Sequence, residues 1–426
     1  MIRRLGWTLL VLLAGLAALV WMINFWGGGR IHDEPPTTPP SAERVARGAY
    51  LARVGDCMLC HTARGGAPFA GGRAIATPFG TVYSSNLTPD AATGLGRWSA
   101  AHFRRALHQG RSRDGRLLYP VFPYPHTTRV TDADADLLFD YLRSLPPVNQ
   151  PDREHRLRFP YNTQAALAVW RALYFRPEPF RPDPARPPEW NRGAYLVQGL
   201  AHCGACHTAR NALGGVRDAL DLSGGLIPMQ NWYAPALTSP AEAGLADWRV
   251  EDIVQLLQTG TSPRATVSGP MAEVVMHSTQ YIDPTDLRAM AVYLKSLPQV
   301  GTDTDPREVQ RAGIPLLARG SKLYGTHCAA CHGESGTGVA GAYPALAGNR
   351  AVTMPATENL VQIVLNGGFP PATHGNPRPF GMPPFATTLS DGDVAAVLTF
   401  IRSAWGNRAA PVSEVAVSQQ RSSRRE

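Results

Sequence analysis

The sequence reads Cys57-Met58-Leu59-Cys60-His61 at its first pair of cysteines, and the same spacing recurs at residues 203–207 and 328–332. Each segment is a Cys-x-x-Cys-His motif, which is the attachment sequence for a c-type haem. Two thiols three residues apart on a helical turn can form thioethers with the haem vinyl groups, and the histidine that follows can bind the iron. The motifs therefore predict three covalently bound haem c groups. The predicted attachment residues are Cys57, Cys60, Cys203, Cys206, Cys328 and Cys331, and the predicted proximal iron ligands are His61, His207 and His332.

Cysteine pairs of this kind have other uses. A single Cys-x-x-Cys can be a redox dithiol or half of a zinc site, and six cysteines can also pair as disulfides. Here each pair is followed directly by histidine, and no cysteine is left over. This pattern favours the haem interpretation.

The surrounding sequence repeats together with the motifs. Arg47-Gly-Ala-Tyr50-Leu51 precedes the first motif and Arg192-Gly-Ala-Tyr195-Leu196 the second, and a looser copy, 319–324, precedes the third. Similar helical segments, each preceded by aspartates, close the copies at 141–148, 293–300 and 400–405. A chain of 426 residues also exceeds one small core. We predict a mainly α protein with three tandem cytochrome c domains, at 42–149, 189–301 and 312–407.

The segments between and after these domains differ from them. The linker at 150–188 combines a predicted helix, Gln164 to Phe175, with a Pro-rich extended strap, Arg176 to Pro188. The helix can pack on its own domain or form a docking surface for a partner or membrane. The polar tail at 408–426 is predicted to be disordered.

The N-terminal segment at 1–29 is predicted to be a transmembrane anchor. Leu5 to Trp26 is almost wholly apolar, and 22 helical residues span about 33 Å, enough for a bilayer core. Trp21, Phe25 and Trp26 are typical of an interfacial aromatic belt. A cleaved signal peptide is the alternative. Arg3 and Arg4 predict a cytoplasmic N-terminus in the inner membrane and haem domains in the periplasm.

The formal net charge of the chain is +8. No run of Lys and Arg is interleaved with aromatic residues, and export also argues against nucleic-acid binding. Haem propionates offset internal arginines, so we attribute the charge to haem binding and to the membrane surface.

Methionines on loops before the closing helices are candidate distal ligands. Met is a common sixth ligand in electron-transfer cytochromes and raises the potential. Met382 lies 50 residues after His332 in Gly-Met-Pro, with Met354 as the alternative. Met271 lies 64 residues after His207, with Met276 as the alternative.

The first domain lacks such a methionine. None occurs between Met58 and Met229, and the corresponding loop ends in His126, 65 residues after His61. We predict His126 as the distal ligand of the first haem, which then has the lowest potential. A vacant position lined by His126 is the alternative. His102 and His108 suit a surface or propionate-contacting role better.

The chain resembles the membrane-associated tri-haem cytochrome c subunits of bacterial periplasmic dehydrogenases. The resemblance covers about residues 43–407. It is carried by segments 85–90 (Ser-Asn-Leu-Thr-Pro-Asp), 93–98 (Thr-Gly-Leu-Gly-Arg-Trp), 190–195, 269–275 and 405–407. The family implies an electron-transfer subunit without catalytic residues of its own. It also implies partners: a large catalytic subunit, in some cases a small iron-sulfur subunit, the lipid bilayer, and ubiquinone as the usual acceptor.

One departure bears on the choice of catalytic partner. Subunits of quinoprotein alcohol and flavin-dependent gluconate or sorbitol dehydrogenases carry Met-Pro-Tyr where this chain has Phe122-Pro-Tyr-Pro-His126. The Phe-Pro-Tyr-x-His loop resembles that of cytochromes serving molybdenum hydroxylases, such as membrane-bound aldehyde dehydrogenase. We therefore expect a partner that oxidises aldehydes or N-heterocycles. A haem peroxidase with an open first haem and a soluble electron carrier are the competing classes.

Overall fold

The computed structural model of the chain describes residues 2–25, 31, 33–216, 218, 220–301 and 313–422. The fold is largely helical, as the sequence predicts. The helices are α1 (Ile2–Phe25), α2 (Ala42–Val54), α3 (Cys57–His61), α4 (Ala100–Gln109), α5 (Tyr124–Thr127), α6 (Asp132–Ser144), α7 (Gln164–Tyr174), α8 (Pro188–Tyr195), α9 (Gly204–His207), α10 (Val250–Thr259), α11 (Pro270–His277), α12 (Pro284–Lys295), α13 (Ile314–His327), α14 (Ala329–His332), α15 (Arg350–Thr353), α16 (Glu358–Asn366), α17 (Asp391–Ser403) and α18 (Glu414–Ser422). A π-helical turn, Leu196–Leu200, and a 3-10 turn, Thr279–Tyr281, complete the helical elements.

The strands are few and short. β1 (Ala74–Thr77), β2 (Gly80–Tyr83) and β3 (Arg156–Leu157) form an antiparallel sheet in that order. β4 (Gly225–Ile227) and β5 (Trp232–Ala234) form a hairpin in which Leu226 pairs with Tyr233. Only Val82, Tyr83 and Ala234 of these strands are buried, so the strands contribute little to the core.

The chain forms two compact units. Unit 1 contains Met1–Pro182, Gln198–Ala205 and Arg210–Ala219, and unit 2 contains Asp183–Val197, Cys206–Ala209 and Leu220–Glu426. The boundary between the units therefore runs through the segment that carries the second motif. The predicted domain limits at 149, 189 and 301 stay predictions, and residue 312, the predicted start of the third domain, lies outside the described residues.

In three pairs of packed helices, a glycine lies at the point where the two backbones come closest. α2 packs against α6 in unit 1, and α8 against α12 and α13 against α17 in unit 2. A Cβ at Gly48, Gly193 or Gly320 would overlap a carbonyl oxygen of the facing helix. It would also lie 2.7, 2.9 and 2.7 Å from the Cβ atoms of Tyr141, Tyr293 and Phe400, respectively. Only glycine permits this approach, so the Arg-Gly repeats in the sequence mark helix crossings.

The closing helices begin as the aspartates predict. α6 and α17 carry two aspartates each in the first turn, and α12 carries one. Ser390 and Asp393 form a capping box at α17, which satisfies amide groups that have no partner within the helix. Negative charge there also interacts favourably with the helix dipole.

The predicted linker contains α7 and, before it, the strand β3, which the sequence analysis did not predict. α7 ends at Tyr174, with Phe175 as its C-cap, and the strap that follows has no helix or strand. Pro188, predicted to close the strap, is instead the first residue of α8, where proline is well suited because it needs no amide partner.

The predicted disorder of the tail at 408–426 is wrong for residues 408–422. Residues 414–422 form α18, and Val412 and Val417 are buried in the core formed by α16 and α17. Arg421 binds Asp391 at 2.6 Å. The segment is polar overall, but the burial of Val412 and Val417 stabilises an ordered conformation. Residues 423–426 lie outside the described residues.

α1 is long and apolar enough to cross a membrane, with mean hydropathy 2.2 over Arg4–Asn24. A signal sequence near the N-terminus would pass the same test. Trp26, part of the predicted aromatic belt, lies outside the described residues.

Candidate haem-binding sites

Each Cys-x-x-Cys-His motif lies on or at the edge of a one-turn helix: α3, α9 or α14. One helical turn brings residues three apart onto the same face, so both cysteines of a pair can face one haem edge. None of the six cysteines is paired in a disulfide.

The three motif histidines share a hydrogen bond that orients the ring. The Nδ1 atoms of His61, His207 and His332 lie 2.8, 2.7 and 3.0 Å from backbone carbonyl oxygens. A carbonyl oxygen can only accept, so Nδ1 carries the proton and Nε2 keeps its lone pair for iron. The accepting carbonyls belong to Ser85, Pro235 and Pro344.

The charge state of these rings suits metal binding. Burial lowers the pKa of His61, His207 and His332, while the hydrogen bond to the carbonyl acts in the opposite direction. A lowered pKa favours the neutral imidazole, which is the form that binds a metal ion.

Two of the thiols, those of Cys57 and Cys328, differ from the thiols of redox or zinc sites. Burial raises the pKa of Cys57 to about 12 and that of Cys328 to about 11. Reactive and metal-binding cysteines need the opposite shift, because the thiolate is the nucleophile and the ligand. Within the described part of the chain, no group of three or more His, Cys, Asp or Glu side chains converges as a metal site. The donor set therefore fits thioether attachment of haem with separate iron ligation by histidine.

Both candidate methionine ligands lie in unit 2 next to glycine-dependent backbone contacts, Met271 in the first turn of α11 and Met382 in a loop. Met271 is the second residue of α11, behind Gly269, where φ is +55° and a Cβ would lie 2.5 Å from the Trp232 ring. Met382 exchanges backbone hydrogen bonds of 2.8 and 3.0 Å with Gly368. These contacts fix the backbone from which each thioether projects.

The two alternative methionine ligands, Met354 and Met276, both have backbone carbonyls that accept side-chain hydrogen bonds. Met354 is buried, and its carbonyl accepts a hydrogen bond of 2.9 Å from Arg402, which ties the segment to α17. The carbonyl of Met276 accepts a hydrogen bond from Gln280 at 2.5 Å. These contacts do not decide between the methionines, so Met382 and Met271 stay predictions as ligands.

His126 is buried on α5 in unit 1. The residue is 4% exposed, and its Nδ1 atom has no hydrogen-bond partner among the described residues. Burial, together with positive charge on His202 and Arg129, lowers the pKa of His126 to about 3. His202 directly precedes the second motif, so α5 lies near that segment. A neutral, buried imidazole with a free ring nitrogen has the chemistry of an iron ligand.

His102 does not have the surface role that the sequence suggested. It is 6% exposed and forms a capping box with Ser99 at the start of α4. Histidine rarely closes such a box, so no local pattern predicted it. His108 lies 3.5 Å from Asp132, consistent with a partly exposed position.

Sequence reasoning also missed the three carbonyl groups that orient the motif histidines. Every residue has a carbonyl, so side-chain identity contains no signal for this role. The proline at two of the three positions is a weak clue that only the structure makes visible.

Comparison with known proteins places these features in a family. A family model described as cytochrome c matches residues 45–146 and 317–405, two ranges that contain the first and third motifs. The chain is 40% identical over 380 residues to the cytochrome c subunit of alcohol dehydrogenase (quinone) from Gluconacetobacter polyoxogenes, covering 86% of this chain and 81% of the relative.

Two further relatives are named for other dehydrogenases. The gluconate 2-dehydrogenase cytochrome c subunit of Pantoea cypripedii is 39% identical over 388 residues, covering 86% of each chain. A nicotinate dehydrogenase subunit of Pseudomonas putida is 39% identical over 382 residues, or 86% of this chain but 31% of that longer relative. Shared cytochrome c domains imply covalently bound haem c.

Proposed function

This chain belongs to the cytochrome c subunits of bacterial dehydrogenase complexes, and we propose that it relays electrons from a periplasmic catalytic subunit to membrane ubiquinone through three haem c groups. Electron transfer in a dehydrogenase complex is the shared role of the family. When bound, haem c supplies a one-electron Fe(III)/Fe(II) couple. The number of haems, the acceptor and the partner are the parts that we propose.

The repeated carbonyl–histidine hydrogen bond carries this proposal. It occurs once at each motif, at 2.7–3.0 Å, including the second motif, which the family model does not cover. Three independent backbone segments thus hold three imidazoles in the same protonation state. Such equivalence supports one haem at each motif.

We propose His126, Met271 and Met382 as the distal ligands. The backbone contacts at Gly269 and Gly368 support the two methionines, and the buried side chain with an unpaired Nδ1 supports His126. His/Met ligation raises a haem potential relative to ligation by two histidines. The first haem is therefore proposed as the lowest-potential centre.

The catalytic partner is proposed to be a molybdenum hydroxylase that oxidises aldehydes or N-heterocycles, with a possible small iron-sulfur subunit. Relatives named for alcohol, gluconate and nicotinate dehydrogenases are equally similar, at 39–40% identity. Overall similarity therefore supports a quinoprotein or flavin partner as well. Phe122, which stands where the Met-Pro-Tyr loop has methionine, and His126 four residues later favour the molybdenum enzyme.

The chain is proposed to be anchored in the inner membrane by α1, with its N-terminus in the cytoplasm. Arg4 at the start of the apolar span supports this orientation. The haem-bearing units would then face the periplasm, where c-type haems are attached.

Purification of the complex from detergent-solubilised membranes tests the proposal. We expect three haems per chain, falling to two in the double variant Cys203→Ser/Cys206→Ser, and molybdopterin in the large subunit. A ratio of two haems in the unmodified chain would overturn the three-haem assignment. Pyrroloquinoline quinone or flavin as the only cofactor of the catalytic subunit would overturn the choice of partner.

A peroxidase is the second candidate, and it requires an open first haem. Carbon monoxide separates the two, because it binds a reduced iron only where a position is open or its ligand is displaced. Little binding to the reduced protein supports a relay with three six-coordinate haems.

A further inference from the structure

α7 has an apolar outer face. Phe159 just before the helix is 81% exposed, and Val169 and Leu173 on the helix are 47% and 63% exposed. Ala165, Val169 and Leu173 follow one another at a spacing of four, so they form one stripe along the helix. A helix on a water-facing surface normally carries charged residues on that side.

α7 contains a single charged residue, and that residue is buried. Arg171 is 5% exposed, and its guanidinium lies 5.1 and 4.7 Å from the ring centres of Tyr124 and Phe175. The helix thus places its only charge on the inner face. Its outer face suits an apolar or interfacial environment rather than water.

The inner face of α7 binds the end of α1. Asn24 Nδ2 donates to the Ala168 carbonyl at 2.9 Å, and Arg171 Nε donates to Asn24 Oδ1 at 3.0 Å. Val20 also packs against a buried cluster formed by Leu117, Leu167 and Ala168. Asn24 is itself 6% exposed, so this junction is an apolar contact closed by two buried hydrogen bonds.

This junction sets the height of α7 relative to a bilayer. Asn24 is the last residue of the apolar span Arg4–Asn24. If α1 crosses the membrane, α7 is fastened to the point where α1 leaves the hydrocarbon. A helix at that level meets the headgroup region, which accommodates amphipathic helices with an apolar face and aromatic side chains.

An exposed arginine lies on each side of α7. Arg158 and Arg176 are exposed on either side of the helix, and the helix itself has no acidic residue. Trp170 and Tyr174 lie on the helix with ring centres 5.4 Å apart, and Trp170 donates to the Leu213 carbonyl at 3.0 Å. Basic residues beside an apolar stripe attract the phosphate groups of anionic lipids.

We propose that α7 is an interfacial helix whose Ala165–Val169–Leu173 face lies in the lipid headgroup layer beside the periplasmic end of α1. This inference rests on the proposed anchoring by α1. Together, the two helices hold unit 1 at a set height on the membrane surface, because the buried Asn24–Arg171 pair prevents one from moving without the other.

Photocrosslinking in vesicles of phosphatidylethanolamine and phosphatidylglycerol tests the proposal on the full-length haem-loaded chain in its complex. A photoreactive benzoylphenylalanine replaces Leu173, and the same group at Ala91, an exposed position in a loop of unit 1, is the control. We expect lipid adducts at position 173, several-fold above those at position 91. Adducts to another subunit, or none at position 173, would overturn the proposal.

A second variant tests the apolar stripe itself. Val169→Glu places a charge on the same face, and we expect it to lower the lipid adduct yield at position 173 several-fold, whereas Ala91→Glu leaves it unchanged. An unchanged yield with Val169→Glu contradicts the proposal. Carbonate extraction of the same membranes examines α1 separately: release of the chain means that the anchoring has failed, whereas retention without lipid adducts means that only the α7 inference has failed.

Discussion

The side-chain amide of Asn359 exchanges two hydrogen bonds with the backbone of Tyr233. The Tyr233 N–H donates to Oδ1 at 2.8 Å, and Nδ2 donates to the Tyr233 carbonyl at 2.7 Å. Tyr233 is the middle residue of β5, and Asn359 lies near the start of α16. The amide therefore occupies the open edge of the β4–β5 hairpin as a neighbouring strand would. It joins the segment after the second motif to the segment after the third.

Asn359→Ala should destabilise unit 2 by about 1–3 kcal/mol, because it leaves both backbone groups of Tyr233 without their partner. Denaturant unfolding of the haem-loaded protein measures the change. Asn366→Ala is a matched control on the same helix, where the amide donates to Gln362 one turn earlier. Equal effects of the two substitutions would contradict the role given to Asn359.

Gly320→Ala should destabilise the protein by at least about 2 kcal/mol, because the new Cβ overlaps the Ala396 carbonyl at the α13–α17 crossing. Gly325→Ala on the same helix is the control. A Cβ there meets no atom within 4 Å, so the better helix propensity of alanine should leave stability unchanged or raise it by up to about 1 kcal/mol. Thermal unfolding that ranks the two variants in the opposite order would refute the close approach.

His126→Met should raise the lowest haem potential of the protein, because thioether ligation favours Fe(II) more than imidazole does. It should also add a third methionine-ligand absorption band to the two expected in the unmodified chain. Redox titration followed by optical spectroscopy measures both. The control is His108→Gln, which alters a histidine paired with Asp132. If His126→Met leaves the potentials and spectra unchanged, His126 is not a ligand.

Met382→Leu should open one haem to carbon monoxide and remove one methionine-ligand band. Leucine retains much of the volume but cannot bind iron, so the packing cost is below about 1.5 kcal/mol. Met354→Leu is the paired control, because Met354 is buried in the core of the same unit. Loss of the band with Met354→Leu instead would transfer the ligand assignment to Met354.

Lowering the pH should remove a stabilising interaction from the first turn of α17. The Ser390 hydroxyl donates to Asp393 at 2.6 Å, and this bond, with the Arg319 guanidinium at 2.7 Å, holds the pKa of Asp393 below its ordinary value of 3.8. A lowered folded-state pKa means that the carboxylate stabilises the folded protein above pH 3.8 and that this stabilisation is lost as the pH falls through the folded-state value. Ser390→Ala should reduce the loss of unfolding free energy between neutral pH and about pH 3. An identical pH dependence in the variant would exclude this contribution.

The sequence by itself determined the three Cys-x-x-Cys-His motifs, the helical class of the fold and the helices that begin on aspartates. These features are local. Thioether attachment needs two thiols at a set spacing followed by histidine, and the start of a helix is specified by a few consecutive residues. The resemblance carried by segments 85–90 and 269–275 likewise placed the chain in its family before the fold was known.

The tertiary structure decided what depends on distant backbone. The carbonyls of Ser85, Pro235 and Pro344 orient the histidines, Asn359 closes a strand edge 126 residues away, and Val417 orders a tail whose composition suggested disorder. The identity of a side chain does not show where a backbone carbonyl will lie or whether two valines will be buried in a core. Those outcomes follow only when the whole chain has packed, because hydrogen bonding and apolar burial depend on which surfaces meet.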